Sequence, residues 1–431
     1  MGLTPEQEER VSAVDIPEVW QKTHDHVEEH CQIFLGQSHR DLVESLFEAS
    51  FSDSNVLALG PPGTAKSAAV MRFAKRIGAT NKCPVPSGNG LKSTRSFNIL
   101  IGKFTTPDEI KGPLNVKKLT EDGKLEHNVQ GYAPTARVVF LDEVYKGSSA
   151  VLNTILQLLN ERVYLQSGKL KRTNNLMIVG ASNEEPQSKE LGAFHDRFHI
   201  KLVMEEISQV NDILGMCGVA NDTQAKNESN WTPVKPLTLT EIIAIRRYIA
   251  NAVTVKKDVI EALFELKNKM SHELGYSFSD RTFVKLAGDS SQGRKVASLF
   301  KVAAFLAGDN EVQLAHMPTM LRKTLWLSVE SQSDVNRMIA SVIKDPLSIL
   351  KEMYKDISDK LSEMNSCTDM TQEIGIITTM MELKDKMSNY IKGQSFNETQ
   401  AKQSYAIIAQ ACNAIEQSSA IHSEHIRNRN K

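Results

Sequence analysis

Residues Gly60-Pro61-Pro62-Gly63-Thr64-Ala65-Lys66-Ser67 follow a short apolar run, Val56 to Leu59, and precede an amphipathic stretch, AAVMRFAKRI. A strand, a glycine-rich loop and a helix in that order leave few folds open. The backbone N–H groups of such a loop and the helix N-terminus together make a concave anion site. The spacing predicts a phosphate-binding loop in which Lys66 reaches the β- and γ-phosphates of ATP and Ser67 ligates Mg²⁺. Ala65 stands where the glycine before the lysine is usual, so the loop must accommodate a methyl group.

The second feature is Val138-Val-Phe-Leu141-Asp142-Glu143, an apolar strand ending in two carboxylates. Open α/β sheets bind ligands at the C-terminal ends of their strands. There Asp142 orders the Mg²⁺ shell through water and Glu143 polarises the attacking water. A further strand, Leu176 to Gly180, runs into Ala181-Ser182-Asn183, which sets an amide beside the γ-phosphate; taken alone, Asn183 reads equally well as a turn residue. Charge developing on a transferred phosphoryl group calls for additional cations. Arg197, in His195-Asp-Arg-Phe198, is the candidate supplied across a subunit boundary, and Arg281, in Ser279-Asp-Arg281, the candidate supplied by a second domain. In isolation each arginine reads as a surface ion-pair residue.

Apolar runs at Phe97 to Ile101, Val138 to Leu141 and Leu176 to Val179, separated by helix-like stretches, have the rhythm of a parallel sheet with crossover helices. The chain therefore divides into an N-terminal extension (1–22), a doubly wound α/β nucleotide-binding domain (23–212), a polar, proline-closed linker (213–236), a helical lid without strands (237–330) and a C-terminal helical region (331–431). In the last, Leu347, Leu350, Tyr354, Ile357, Leu361 and Met364 recur at helical spacing. So do Ile377, Met380, Lys384 and Met387, and then Ala401, Tyr405, Ile408, Cys412 and Ile415, predicting a hairpin or three-helix appendage. The 431 residues suit two or three soluble domains, and a formal charge of -1 supplies no global attraction to nucleic acid or an anionic membrane. Five scattered cysteines, no apolar leader and no membrane-length apolar run point to the cytoplasm.

The run from GPPGTAKS through FTTPDEIKGPL, GYAPTARVVFLDEVYKGSSAVLNTILQLLNER, ASNEEPQSKELGAFHDRF and SFSDRTF resembles the MoxR branch of the AAA+ ATPases, and within it the RavA subgroup, over roughly residues 30 to 330. Ala65 recurs in that subgroup. The resemblance implies an AAA+ P-loop core with a helical lid, in which Lys66 and Ser67 are the Walker A pair and Asp142 and Glu143 the Walker B pair. Asn183 becomes sensor one, Arg197 the arginine finger and Arg281 sensor two, while Leu35, Gly36 and Gln37 sit where the family touches adenine. It also implies a homo-oligomeric, hexameric ring, and a partner carrying a von Willebrand factor A domain.

Two hairpins are expected. After a capping box at Thr106-Pro-Asp-Glu109, the segment LNVKKLTEDGKLEHNVQGY alternates around Asp122-Gly123 and resembles the helix-two insert of this clade. Arg162 to Arg172 alternates around Ser167-Gly168 and resembles the hairpin before sensor one. Two other signals take bland readings. His26-Val-Glu-Glu29-His30, beside Cys31, fits the H-x-x-E-H metal pattern but reads as a solvated helix face. The basic segment Asn81 to Ser96 reads as a solvated loop. A chaperone-like remodelling or assembly ATPase is the leading function. A nucleic-acid motor, with Lys169, Lys171 and Arg172 lining a pore, and a nucleotide-gated scaffold with little turnover are the alternatives.

Overall fold

The computed structural model describes residues 5–31, 34, 36–79, 96–186, 189–205, 235–276, 278–288, 290–291, 294–295, 297–326, 328, 332–343, 346–366, 370–392 and 398–429. Leu35, nearly all of the basic segment 81–96 and most of the linker 213–236 lie outside the described residues. The chain forms two compact units, Met1–Asn336 and Arg337–Lys431.

In the first unit the longer strands are β1 (Val56–Leu59), β2 (Ser96–Leu100), β3 (Val138–Asp142), β4 (Val163–Gln166), β5 (Lys169–Arg172), β6 (Met177–Ser182) and β7 (Ile200–Val203). Five of them make a sheet in the order β2-β3-β6-β1-β7, every pair parallel. β1 and β6 are buried throughout, as strands covered on both faces by crossover helices must be. The register aligns Val56 with Val179 on one side and with Ile200 on the other. Hence β1, β6 and β3 end side by side. This is the doubly wound P-loop architecture that the sequence predicted.

The helices up to the end of this domain are α1 (Pro5–Ser12), α2 (Ile16–Cys31), α3 (Gln37–Ser52), α4 (Lys66–Arg76), α5 (Pro107–Lys111), α6 (Val116–Asp122), α7 (Ser149–Asn160) and α8 (Lys189–His195). α3 and α4 meet through Phe47 and Phe73, edge to face with centroids 4.9 Å apart. Burying each ring stabilises the fold by about 2 kcal/mol, so Phe47→Ala would loosen the helix beneath the phosphate loop. Beyond residue 238 come helices Leu239–Ala252, Lys257–Leu274, Asp280–Ala287, Leu299–Leu306 and Met317–Thr324. The expectation of no strand there is amended slightly, since Thr254–Val255 pairs in parallel with Glu311–Val312 and Ser290–Ser291 pairs with Arg294–Lys295.

The two inserts come out differently. β4 and β5 form the expected antiparallel hairpin, with Ser167 and Gly168 both at positive φ in its turn. The first insert is not a hairpin about Asp122-Gly123. Asn115 caps α6 by accepting from the Lys118 N–H, and Gly123 at φ 62 closes the helix, its N–H donating to the Leu119 carbonyl and that of Lys124 to the Lys118 carbonyl. The Asp-Gly pair thus serves as a helix stop, and pairing is confined to the isolated bridge Leu114–His127.

The second unit holds helices Pro346–Ser366, Met370–Lys392 and Glu398–Arg429. Leu350, Ile357, Met364, Met380 and Met387 fill its core as their spacing predicts. Of the stripe expected on the last helix, Ile415 is buried in this core and Ile408 packs against it, joined by Ser404, Ile407, Ala411, Ala414 and Ser418, whereas Tyr405 is 66% exposed. No helix among the described residues is long and apolar enough to cross a membrane.

Candidate functional site

The loop after β1 turns at Gly60, whose φ is 147°; a Cβ there would lie 2.2 Å from the Met204 carbonyl oxygen, so only glycine fits. Gly63 follows at φ 88°, and Ala65 occupies the left-handed region at φ 53°, ψ 21°. A non-glycine residue in that region costs on the order of 1 kcal/mol, and here it opens α4 directly behind the loop. Lys66 is buried, donating to the carbonyls of Gly60 at 2.7 Å and Pro61 at 2.8 Å and to Thr64 Oγ1 at 3.2 Å. Its Nζ also lies 3.4 Å from Asn183 Oδ1. Burial lowers the Lys66 pKa, while Asp142 and Glu143 oppose the fall.

The strand ends converge as their order requires. Ser67 Oγ lies 3.3 Å from Asp142 Oδ2, a pair of hard oxygen donors that suits Mg²⁺. Glu143 sits at φ 53°, ψ 45°, which turns its side chain back toward the loop. Asn183 Nδ2 donates to Glu143 Oε1 at 2.5 Å, and Lys146 Nζ pairs with Oε2 at 3.3 Å. A cleft lined by Leu100, Gly102, Phe104, Glu109, Glu143 and Lys146 opens this turn to water. The residues present fit a Mg²⁺–nucleotide: a loop of N–H donors, a lysine, two oxygen ligands and a carboxylate held by an amide.

Gly36, at φ 95°, caps α3, and the exposed Gln37 donates to Asp41 at 2.7 Å. Two residues next to the site went unread in the sequence. His39 is buried and its Nε2 lies 2.9 Å from the Thr64 carbonyl, tying α3 to the phosphate loop; as one polar residue in a helical pattern it carried no signal. Lys146 carried none either, because only the tight turn after Glu143 folds it back.

The two arginines are elsewhere. Arg197 lies just before β7, whose first residue, Ile200, aligns with Val56 at the start of β1. Arg281 sits in the first turn of a helix capped by Ser279, and one turn on, Lys285 donates to the carbonyls of Ser52 and Asp53, just ahead of β1. Both arginines are therefore at the edge where strands begin, and Lys66 and Glu143 are at the edge where they end. Desolvation and then the Arg197 charge lower the Arg281 pKa, so the two cations lie close to each other. Arg197 Nε is buried without a hydrogen-bond partner among the described residues.

The H-x-x-E-H segment is buried, not a solvated face: His26, Glu29 and His30 are each at most 3% exposed. Glu29 pairs with Arg72 at 3.3 Å and with Arg76, and His26 Nε2 meets the Lys235 carbonyl at 3.0 Å. Arg72 and Arg76, reaching over from α4, take up the carboxylate that a metal would need. Among the described residues no group of three or more His, Cys, Asp or Glu side chains is arranged to hold a metal ion.

Residues 21–242 match the family model described as the MoxR domain in MoxR-vWA-beta-propeller ternary systems. Two uncharacterized proteins of Methanocaldococcus jannaschii are similar. MJ0079 is 28% identical over 74% of this chain and 76% of its own length, and MJ0812 is 30% identical over 57% and 59%. The structural protein ORF618 of Acidianus two-tailed virus is 24% identical over 74% of this chain and 49% of its own. The crystal structure of an ATPase candidate from Cytophaga hutchinsonii superposes with a TM-score of 0.52 at 15% identity, over 78% of this chain and 96% of that one, a likeness of fold. With the family model matched over just over half of its residues and a phosphate loop at the end of β1, this chain belongs to the MoxR family of AAA+ ATPases.

Proposed function

We propose that this chain hydrolyses ATP with Mg²⁺ as cofactor in a cytoplasmic hexameric ring of RavA-like type, and that turnover drives remodelling or assembly of a protein client. The observation that carries the reading is the separation of the two polar clusters to opposite edges of one sheet. Lys66, Ser67, Asp142, Glu143 and Asn183 make one half of a phosphoryl-transfer site; Arg197 and Arg281, at the edge where the strands begin, make the other half for a neighbour. Bound Mg²⁺ supplies charge neutralisation at the phosphates. Ser67 and Asp142 hold it, Lys66 binds the β- and γ-phosphates, and Glu143 accepts a proton from the attacking water while Asn183 fixes its carboxylate. Across the boundary the two guanidinium groups stabilise charge that develops in the transition state. The wording of the matching family supports a von Willebrand factor A domain protein as partner.

A nucleic-acid motor is the second reading, favoured by the fully exposed strand Lys169-Leu-Lys171-Arg172. One experiment separates them: steady-state ATPase of wild type and Arg197→Ala, alone, with single-stranded DNA, and with a von Willebrand factor A domain protein. The proposal expects Arg197→Ala to bind ATP normally and lose roughly 10³-fold in kcat, with stimulation of wild type by the protein only. Stimulation by DNA alone favours the motor, and an undiminished Arg197→Ala contradicts the shared site.

A further inference from the structure

Glu143 and Arg197, assigned above to different nucleotide sites, are joined inside one subunit by the residues beside them. Glu143 opens a single 3-10 turn, Val144–Lys146, and Arg197 follows α8 by two residues. Tyr145 of the turn and His195 at the end of α8 share a hydrogen bond of 2.6 Å between the hydroxyl and Nδ1. Both side chains are buried, at 9% and 5% exposure. Burial holds the His195 pKa down to about 3, with the Lys201 charge adding to the fall, and it raises that of Tyr145. The bond is thus one between neutral groups throughout the physiological range, and His195 Nε2 has no other partner among the described residues.

A second, independent contact runs parallel to it. Gly180 in β6 has no side chain, and into that space Phe198, next to Arg197, and Val144, next to Glu143, both pack. A Cβ on residue 180 would lie 2.9 Å from Phe198 Cζ and 3.0 Å from Val144 Cγ1. Phe194 closes the cluster, edge-on to Tyr145 at 6.3 Å and to Phe198 at 5.5 Å. Close-packed interiors pass displacement on instead of absorbing it, so the glutamate turn has little room to shift unless the arginine segment moves too. A surface arginine would need no such tie.

We propose that Tyr145 and His195 are positioning residues that couple a subunit's own catalytic turn to the arginine it presents to its neighbour. The state of one nucleotide site then sets the geometry of the next. This rests on the reading of Arg197 as an arginine acting across the boundary, and the test keeps the two ideas separable.

Full-length Lys66→Ala subunits, which still present Arg197, are mixed with full-length Arg197→Ala subunits, which keep an intact phosphate loop. Ring formation is confirmed by sedimentation. The parent mixture is expected to recover turnover at junctions with both halves intact. Tyr145→Phe or His195→Phe is then added to the Lys66→Ala subunit alone, where it affects hydrolysis only through what that subunit offers its neighbour. The coupling predicts that kcat falls roughly 3- to 10-fold with KM for ATP unchanged, and that combining the two substitutions adds little further loss. A generally loosened subunit would lose ring incorporation instead. If Tyr145→Phe subunits fail to enter rings, Gly180→Ala becomes the deciding variant, since its methyl wedges Phe198 from Val144 while leaving the hydrogen-bonding groups in place. An active parent mixture with unimpaired variants overturns the coupling alone. An inactive parent mixture in fully formed rings overturns the reading of Arg197, and the coupling with it.

Discussion

Asn183 donates its side-chain amide to Glu143 Oε1 at 2.5 Å, tying the end of β6 to the end of the adjacent β3. The carboxylate is thereby aimed before any substrate arrives. Replacing Glu143 with Gln keeps the shape and the amide contact but removes the carboxylate proposed as proton acceptor. Glu143→Gln is predicted to bind ATP with ordinary affinity and to lose about 10²-fold or more in kcat. Asn183→Ala, which frees the carboxylate without removing it, is predicted to lose less, with KM little changed. Equilibrium binding of a fluorescent ATP analogue beside steady-state hydrolysis checks both, and a Gln variant turning over at the wild-type rate would remove Glu143 from the chemistry.

Ser67 Oγ and Asp142 Oδ2 are hard oxygen donors 3.3 Å apart, whereas His26 and His30 are buried against Phe47 and Phe34, with Glu29 taken by arginines. Hydrolysis is predicted to vanish with EDTA and return with Mg²⁺, and to survive a zinc-selective chelator. Stoichiometric zinc by elemental analysis, lost together with activity in a His26→Ala, His30→Ala double variant, would contradict this.

Those histidines also set an acid limit on stability. Burial holds His26 at a pKa of about 4, and burial, with the Arg72 charge, holds His30 at about 3. Both folded values lie below the unfolded value near 6.5. The unfolded chain therefore takes up protons first as pH falls. Their contribution is complete above about pH 6.5 and is lost progressively between there and pH 4 to 3. Thermal melts from pH 8 to 4 should show Tm flat above 6.5 and falling below it. The fall should be shallower in His30→Phe, whose ring stacks on Phe34 without a titrating group. A Tm that rises on acidification would refute the assignment.

The placement of the candidate phosphate-loop residues was legible because its geometry is local: a loop between β1 and α4, and carboxylates on the last residue of a strand and the one after it, are fixed by spacing. The relation of Arg197 to Arg281 was not, since it depends on how a helix more than 80 residues downstream packs beside the start of β1. Asp122-Gly123 misled because a left-handed glycine serves a helix stop as well as a hairpin turn, and Asn115, seven residues earlier, decided for the helix. In the last helix of the second unit both the Tyr405 stripe and the Ile407 stripe carry apolar residues, and periodicity alone does not choose between them. His26 and His30 looked solvent-facing in a polar run, and only their burial against Phe47 and Phe34 reverses that.

The most direct test of a site divided between subunits is the ATPase rate per subunit as the wild-type protein is diluted, followed in parallel by analytical ultracentrifugation. On the proposed reading, in which Arg197 and Arg281, at the opposite edge of the sheet from Lys66 and Glu143, serve a neighbouring subunit, a lone subunit would hold only half of what hydrolysis requires. The specific activity is predicted to fall with the assembled fraction and to approach zero for monomers, while ATP binding persists. A monomer hydrolysing ATP at the rate of the assembled protein would contradict the account.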